Sequence, residues 1–311
     1  LWSRGLGDVY KRQELEKAGA PYDGLAVTML VAGVINAVGT EFHHEEVLNK
    51  LLSGKHNCCL GYSEPDYGSD VASITTKAEK IGNKWIINGQ KMWTTMAHES
   101  DWVLLLTRTN SKVPKHKGMT MVLVPMNTPG IEIQPVATMA SERTNATFYD
   151  NVEVEDQWRL SEVDDGWSVM GIALALERGV MGGTNPAVPL LKHVLNWAET
   201  TPSKNKSLLI NDTLMRERIA RTAIINQVGQ LLTLRAAWIA ATGGMPGVEG
   251  SMAKIYASEE YQKVVGWFQQ MAGAEGLLSF GAEDAAASGW IDYDARHAPV
   301  CLLYTSDAAD E

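Results

Sequence analysis

Hydrophobic and polar positions change their rhythm twice along this chain of 311 residues. Up to about residue 58, apolar residues recur at helical spacing. Leu48, Leu51 and Leu52 are the clearest set, and Gly39 falls where one helix would stop and another begin. From about residue 60 to 154 the pattern becomes short apolar runs. Residues 84–87 (KWII), 102–107 (WVLLLT), 119–124 (MTMVLV) and 131–133 (IEI) read as strands, with turns at Gly82-Asn83, Thr128-Pro129-Gly130 and Asp150-Asn151. No helical segment separates the runs, so an antiparallel barrel or sandwich is expected. After Trp167 helical spacing returns. Ile224, Val228, Leu231 and Leu232 mark one long amphipathic helix, and residues 251–270 mark another. The expected fold class is therefore α+β, with a truncated N-terminal helical domain over 14–58 and a central β domain over 59–160. A truncated C-terminal bundle of four-helix type follows over 161–300.

Composition narrows the function classes without choosing one. The chain is 45% hydrophobic and 21% charged, as ordinary globular proteins are. Its formal charge of −10 offers nothing to offset phosphate repulsion, which argues against nucleic acid or an anionic membrane as partner. No apolar run approaches the length of a membrane span. The 3 cysteines make no disulfide framework, and Cys58 and Cys59 are adjacent, so a reducing, cytoplasmic setting is expected. His43 and His44 are neighbours that point to different faces of a helix, which argues against a metal site there. The stretch Gly243–Gly250 is glycine-rich, but it lacks the Lys-Ser/Thr ending of a phosphate loop and follows no strand. It reads as a helix–helix connector.

The two ends read as something other than native protein. Residues 8–13 (DVYKRQ) and 301–306 (CLLYTS) are translations of one inverted repeat read on opposite strands, and the repeat resembles a sequencing-library adapter. Residues 1–13 and 301–311 are therefore set aside from fold reasoning, and the native gene is expected to run past both.

The densest local chemistry is GYSEPDYGSD at residues 61–70. By composition it is a turn, with Ser69 a turn residue, and Trp93 farther on is a core tryptophan. Two motifs change that reading. Ser63-Glu64-Pro65-Asp66-Tyr67-Gly68-Ser69-Asp70 and Asn88-Gly89-Gln90-Lys91-Met92-Trp93-Thr94-Thr95, spaced across one hairpin, resemble the sequence hallmarks of the acyl-CoA dehydrogenase family. The order helix, sheet, helix resembles the same family over essentially all of residues 14–300.

The resemblance implies FAD as cofactor and α,β-dehydrogenation of an acyl-CoA thioester as reaction. It implies Leu60, Tyr62, Ser63, Trp93, Thr94 and Thr95 as FAD contacts, and Gly68 and Ser69 as contacts to the thioester arm. An isoalloxazine needs an apolar or aromatic face and donors for its pyrimidine oxygens, and these residue types supply both. The α-proton is weakly acidic, so a desolvated carboxylate base and hydrogen bonds to the thioester carbonyl are required. In one placement the family's base lies just after residue 300, where the adapter-like segment stands. In the other it lies in a Leu-x-x-Glu-Arg stretch, matched by Leu174-Ala175-Leu176-Glu177-Arg178. Glu177 is thus the candidate base and Arg178 a substrate contact, set against the plain alternative of a solvated helix glutamate. Arg143 and Asn145 read either as lining the substrate mouth or as a solvated strand end.

Two departures bear on assembly. The family's Arg-x-x-Phe-Gly is absent from residues 196–212, and its glycine-rich Gln-x-x-Gly-Gly-x-Gly survives only loosely as residues 270–276 (QMAGAEG). Both resemble a bacterial branch that acts on steroid side-chain and other unusual acyl-CoA substrates, some members working as assemblies of two related subunits. The implied partners are an acyl-CoA, an electron-transfer flavoprotein, and further subunits of a homo- or hetero-oligomer. A non-catalytic partner subunit, and a flavin monooxygenase or acyl-CoA oxidase on the same fold, remain as alternatives.

Overall fold

Two strands decide the architecture. β4 (Trp102–Arg108) and β5 (Met119–Pro125) are buried at every position but the last, so the sheet is covered on both faces where they pair. This explains why their sequences are continuous apolar runs with no strict alternation. The computed structural model describes residues 23–140, 143–181, 187–203, 206–242, 244 and 247–299, so the adapter-like ends and the connector's residues 243, 245 and 246 lie outside the described residues. The chain divides into two compact units, one over 21–177 and one taking in 178–310.

The first unit begins with α1 (Asp23–Val38) and a second helical run, α2, made of Glu41–His43, the π-helical His44–Leu48 and Asn49–Leu52. His43 helps to start the second of these helical runs. Its Nδ1 accepts the Thr40 N–H at 3.1 Å and closes a cap at the start of α2. Leu48 and Leu51 are buried as their spacing predicts, whereas Leu52 is exposed.

The remaining strands are β1 (Cys58–Gly61), β2 (Lys77–Ile81), β3 (Lys84–Lys91), β6 (Ile131–Ala137), β7 (Arg143–Glu155) and β8 (Arg159–Leu160). They form one sheet in the order β6-β7-β3-β2-β4-β5-β8, with β1 also on β4. Most pairs are antiparallel as expected, but β1 runs parallel to β4, so the sheet is mixed. Alternate residues of β4 and β5 face different cores. Leu104, Leu106, Met121 and Leu123 meet α1, α2 and α3 (Gly166–Met181). Val103, Leu105, Val122 and Val124 meet Trp85, Ile87, Tyr149 and Val152 from β3 and β7, which requires the sheet to curl over that face.

One expected turn is not a turn. Asp150 and Asn151 lie inside the 13-residue β7, where Asn151 takes φ 48° and the register against β3 shifts between Ile87 and Gly89. The Asn151 N–H donates to Asn88 Oδ1 at 2.8 Å, replacing the interrupted ladder. A bulge and a turn need the same residue types, because both tolerate a left-handed backbone.

The second unit contains α4 (Ala187–Thr200), α5 (Thr213–Ala241), α6 (Val248–Ala272) and α7 (Trp290–His297) among the described residues. Leu190, Val194, Tyr261, Val264, Phe268 and Ile291 form its core. The long helices occur where expected, but Ile224 and Leu231 are exposed at 63% and 57%, and Ile225 is the buried neighbour. Their spacing therefore records an outward apolar stripe, and the core stripe lies one residue over. No helix among the described residues is long and apolar enough to cross a membrane.

The doubly covered sheet makes a specific demand. Replacing the fully buried Leu104 by Ala leaves a cavity between helices and sheet and should cost about 2–5 kcal/mol in unfolding free energy, read from the denaturation midpoint. A change below about 1 kcal/mol would mean that the β4 core position is misassigned.

Candidate active site

The loop after β1 is held by groups that turn inward. Gly61 must lack a side chain, since a Cβ there would lie 2.7 Å from Leu105 Cδ1 and 3.0 Å from Val103 Cγ2. Glu64 and Tyr67 then exchange backbone hydrogen bonds at 2.8 and 3.1 Å, closing a tight turn around Pro65. The Glu64 side chain points back into the protein. Its Oε2 accepts the Thr75 N–H at 2.7 Å and the Thr75 hydroxyl at 2.8 Å. Its Oε1 accepts the Thr76 N–H at 2.8 Å and Lys91 Nζ at 3.0 Å.

Lys91, at the end of β3, is fully buried, and its Nζ also donates to the Tyr62 carbonyl at 2.9 Å. One residue on, the Met92 N–H donates to the Ser63 carbonyl at 2.9 Å. The two motifs that carry the family resemblance are therefore joined by a buried ion pair and flanking hydrogen bonds. The crossing leaves no room on β3: a Cβ at Gly89, where φ is +148°, would lie 2.6 Å from Thr76 Cα.

Burial pushes the Glu64 carboxyl upward, but Lys91 and the Thr75 and Thr76 donors outweigh it and hold the pKa down at about 2. Burial pulls Lys91 down to about 8, with Glu64 opposing the shift. At neutral pH both groups stay charged and satisfied. Cys59, behind this loop, is pushed up to about 12 by burial and is an inert core thiol.

Beyond Lys91 the backbone enters an unusual path. Trp93 and Met96 both adopt left-handed φ, 62° and 64°, with no glycine to ease it. Asn145 clasps the peptide between them: its carbonyl accepts the Thr94 N–H at 2.9 Å, and its Nδ2 donates to the Thr94 carbonyl at 3.0 Å. Thr94 is buried and its hydroxyl lies 3.4 Å from that of Thr147, while the exposed Thr95 reaches the Thr144 hydroxyl at 3.4 Å. Trp93, which composition reads as a core residue, is 49% exposed. Asn145 is fully buried and belongs to this scaffold, while Arg143 is exposed and donates to its Oδ1 at 3.0 Å.

Gly68 and Ser69 occupy the exposed outer end of the loop. The next residue, Asp70, anchors that end by accepting Lys115 Nζ at 2.7 Å and the Ser73 hydroxyl at 2.5 Å. Leu60 and Tyr62 pack against the core shared by the helices and β4. The Tyr62 phenol is pushed well above its usual pKa by burial, and the charge of Glu177 on α3 adds to the shift. The fold thus brings Glu177 into electrostatic reach of a side chain in the 61–70 loop. The side chain of Arg178 lies outside the described residues.

The donor set fits a flavin. Among the described residues neither the Ser63 N–H nor its hydroxyl makes a hydrogen bond, and the exposed Trp93 indole follows Met92, which is bonded to Ser63. Spare donors beside a half-exposed aromatic side chain suit a flat ring with peripheral acceptors. Sequence reasoning quoted Glu64 and Lys91 inside the motifs without giving either a role, and it left Asn145 undecided. An acid in one motif and a base in the other, on strands that must cross, was the available signal.

The family model for the acyl-CoA dehydrogenase middle domain matches residues 59–152, and that for the acyl-CoA dehydrogenase C-terminal domain matches residues 164–298. The chain is 30% identical over 294 residues to acyl-CoA dehydrogenase FadE26 of Mycobacterium tuberculosis, covering 93% of this chain and 72% of that protein. It is 35% identical over 271 residues to acyl-CoA dehydrogenase FadE34 of the same organism, covering 86% of this chain but only 36% of that longer protein. Among solved structures, the ChsE4-ChsE5 complex from Mycobacterium tuberculosis superposes with a TM-score of 0.88 at 28% identity, covering 98% of this chain and 79% of that one. The glutaryl-CoA dehydrogenase complexed with glutaryl-CoA shares the fold, with a TM-score of 0.81 at 24% identity, over 92% and 72% of the two chains.

Two outcomes follow from the ion pair. Glu64→Gln and Lys91→Met should each cost about 3–5 kcal/mol, because each strands a buried charge, while the double variant should lose less than their sum. Strict additivity in urea unfolding would show that the groups do not interact. Glu64 has its pKa depressed on folding, so its stabilisation is present above about 4.5 and is lost as pH falls toward about 2. In the Gln variant this part of the acid sensitivity should disappear from a pH series of unfolding midpoints.

Proposed function

The chain belongs to the acyl-CoA dehydrogenase family, and we propose that it carries out FAD-dependent α,β-dehydrogenation of an acyl-CoA thioester, with Glu177 as the base. The observation that carries this reading is the convergence on one loop. Ser63 presents spare donors, the Trp93 side chain is half exposed two residues beyond Lys91, and the Glu177 carboxylate lies within electrostatic reach of Tyr62.

In this reading Ser63, Trp93, Thr94 and Thr95 hold the flavin, with Leu60 and Tyr62 backing the loop. Bound FAD supplies the acceptor for the β-hydride. Gly68 and Ser69, at the exposed end of the loop, meet the thioester arm, and Arg178 follows the base on the same helix. Glu177 takes the α-proton onto its carboxylate. A weak carbon acid demands a strong base, so in this reading substrate entry strips water from the Glu177 carboxylate. The stacked apolar side chains of α1, β1 and α3 keep water from that side of the loop. The partner that would accept electrons in this reading is an electron-transfer flavoprotein.

A second reading, a partner subunit that completes the flavin site of a related chain, has one observation in its favour. Residues 196–212 contain no arginine and no Phe-Gly, and a similar structure is a complex of two differently named chains. Steroid side-chain thioesters are the substrate class that accompanies this reading, since another similar structure is described as a steroid acyl-CoA dehydrogenase pair, at 27% identity.

Anaerobic mixing of the FAD-loaded protein with acyl-CoA thioesters tests both. Bleaching of the flavin by the chain alone supports the first reading, and bleaching only after a related subunit is added supports the second. Glu177→Gln should slow bleaching by about 10²–10⁴-fold with flavin still bound. Undiminished bleaching in that variant would remove Glu177 from the role of base.

A further inference from the structure

The 61–70 loop has two anchored ends and an open stretch between them. Its inner end is closed by the Glu64–Tyr67 backbone exchange and the Glu64–Lys91 pair. Gly68 and Ser69 follow, both exposed. Among the described residues the Ser69 hydroxyl makes no hydrogen bond. A side chain at Gly68 would meet nothing within 4 Å, so packing inside the chain does not call for glycine there. An open backbone beside a spare hydroxyl leaves room for a ligand to approach closely.

The outer end is held from β4. Arg108 takes the last position of that strand, and its guanidinium donates to three carbonyls. Nε reaches Ile74 at 3.3 Å, Nη1 reaches Lys115 at 2.6 Å, and Nη2 reaches Ala72. Ala72 lies in the one-turn 3-10 helix Val71–Ser73, and Lys115 opens a second such turn, Lys115–Lys117, in the β4–β5 connection. The Arg108 N–H donates to the Thr76 carbonyl at 2.7 Å, so the segment 72–76 is fixed against β4 at three residues. Lys115, whose carbonyl the same guanidinium holds, gives its Nζ to Asp70 Oδ1 at 2.7 Å. Asp70 Oδ2 accepts the Ser73 hydroxyl at 2.5 Å, and Asp70 is the residue next to Ser69. A planar fork of donors serves carbonyls on several sides at once, which a compact ammonium does not.

We propose that Arg108, working with the Lys115–Asp70 pair, is a positioning clamp for Gly68 and Ser69. It fixes the outer end of the loop so that the Ser69 hydroxyl and the Gly68 backbone are presented to the thioester arm of an acyl-CoA. The proposal deepens the functional reading above and rests on Gly68 and Ser69 as contacts of that arm. Nε, Nη1 and Nη2 of Arg108 are each committed to a carbonyl of the chain, so its part is to hold the loop rather than to meet the ligand. The buried ion pair sets where the open stretch begins, and the clamp sets where it ends. Two residues strung between fixed ends have little freedom left to lose on binding, which favours affinity.

Calorimetric titration of the FAD-loaded protein with acetyl-CoA tests the clamp without turnover, because an acetyl group has no β-carbon to oxidise. Ser69→Ala removes one hydrogen bond and should weaken binding by about three- to tenfold. Arg108→Lys keeps the charge but cannot span the carbonyls, and it should weaken binding by a similar factor with flavin content unchanged. The double variant carries the decisive result: if Arg108 acts through Ser69, it binds no more weakly than the weaker single variant. If Arg108→Lys lowers only the melting temperature, or if its effect on the dissociation constant multiplies with that of Ser69→Ala, the positioning role is overturned and Ser69 survives as a contact. If Ser69→Ala binds like the parent, or the parent binds no acetyl-CoA, the reading of Ser69 as a contact falls and the clamp with it. Should Arg108→Lys fail to fold, Asp70→Asn, which loosens the exposed end alone, takes its place in the same cycle with the same expected result.

Discussion

A single buried ion pair, Glu64 with Lys91 at 3.0 Å, fixes the relation between the two segments on which the site depends. Neither charge reaches solvent, and each is used up by further partners: the Thr75 and Thr76 donors on the carboxylate and the Tyr62 carbonyl on the ammonium. Such a pair adds little net stability, because desolvation of both ions consumes most of their attraction. What it supplies is position. The observed arrangement of the loop satisfies carboxylate and ammonium together, and it bonds Ser63 to Met92 and packs Tyr62 against the core that includes α3 residues.

The surroundings are shaped around this crossing. At Gly61 and Gly89 the chain approaches its neighbours so closely that no side chain fits. The left-handed Trp93 and Met96 store about 1–3 kcal/mol each, and the Asn145 clasp on Thr94 holds the path that they define. Strain of this kind persists only where neighbours over-determine the backbone, and the Trp93 side chain on this path is 49% exposed. The doubly covered β4 and β5 form the floor that makes the arrangement rigid.

Much of the fold was legible in the sequence, for identifiable reasons. β4 and β5 declare themselves as apolar runs because both their faces are buried, and Gly82-Asn83 is a turn because its left-handed glycine costs nothing there. Asp150-Asn151 misleads because a bulge and a turn share their chemistry, and the parallel β1–β4 pair leaves no local trace at all. Ile224 and Leu231 mislead because periodicity records an apolar stripe without saying what covers it. In the candidate site, the two motifs lie on segments that the structure joins. The roles of Glu64, Lys91 and Asn145 were hidden, because each depends on a partner between 27 and 51 residues away. The coupling of Tyr62 to Glu177 spans still more chain, and no spacing rule reports it.

If the crossing of the two motifs is what builds the cofactor surface, flavin and ion pair must be seen together. The most direct measurement is an experimental structure of the FAD-loaded protein. It should place the isoalloxazine against Ser63 and the Trp93–Thr95 segment with the Glu64–Lys91 pair intact beneath the loop. A flavin bound away from that crossing, or seated there with the pair broken and the loop rearranged, would contradict the account.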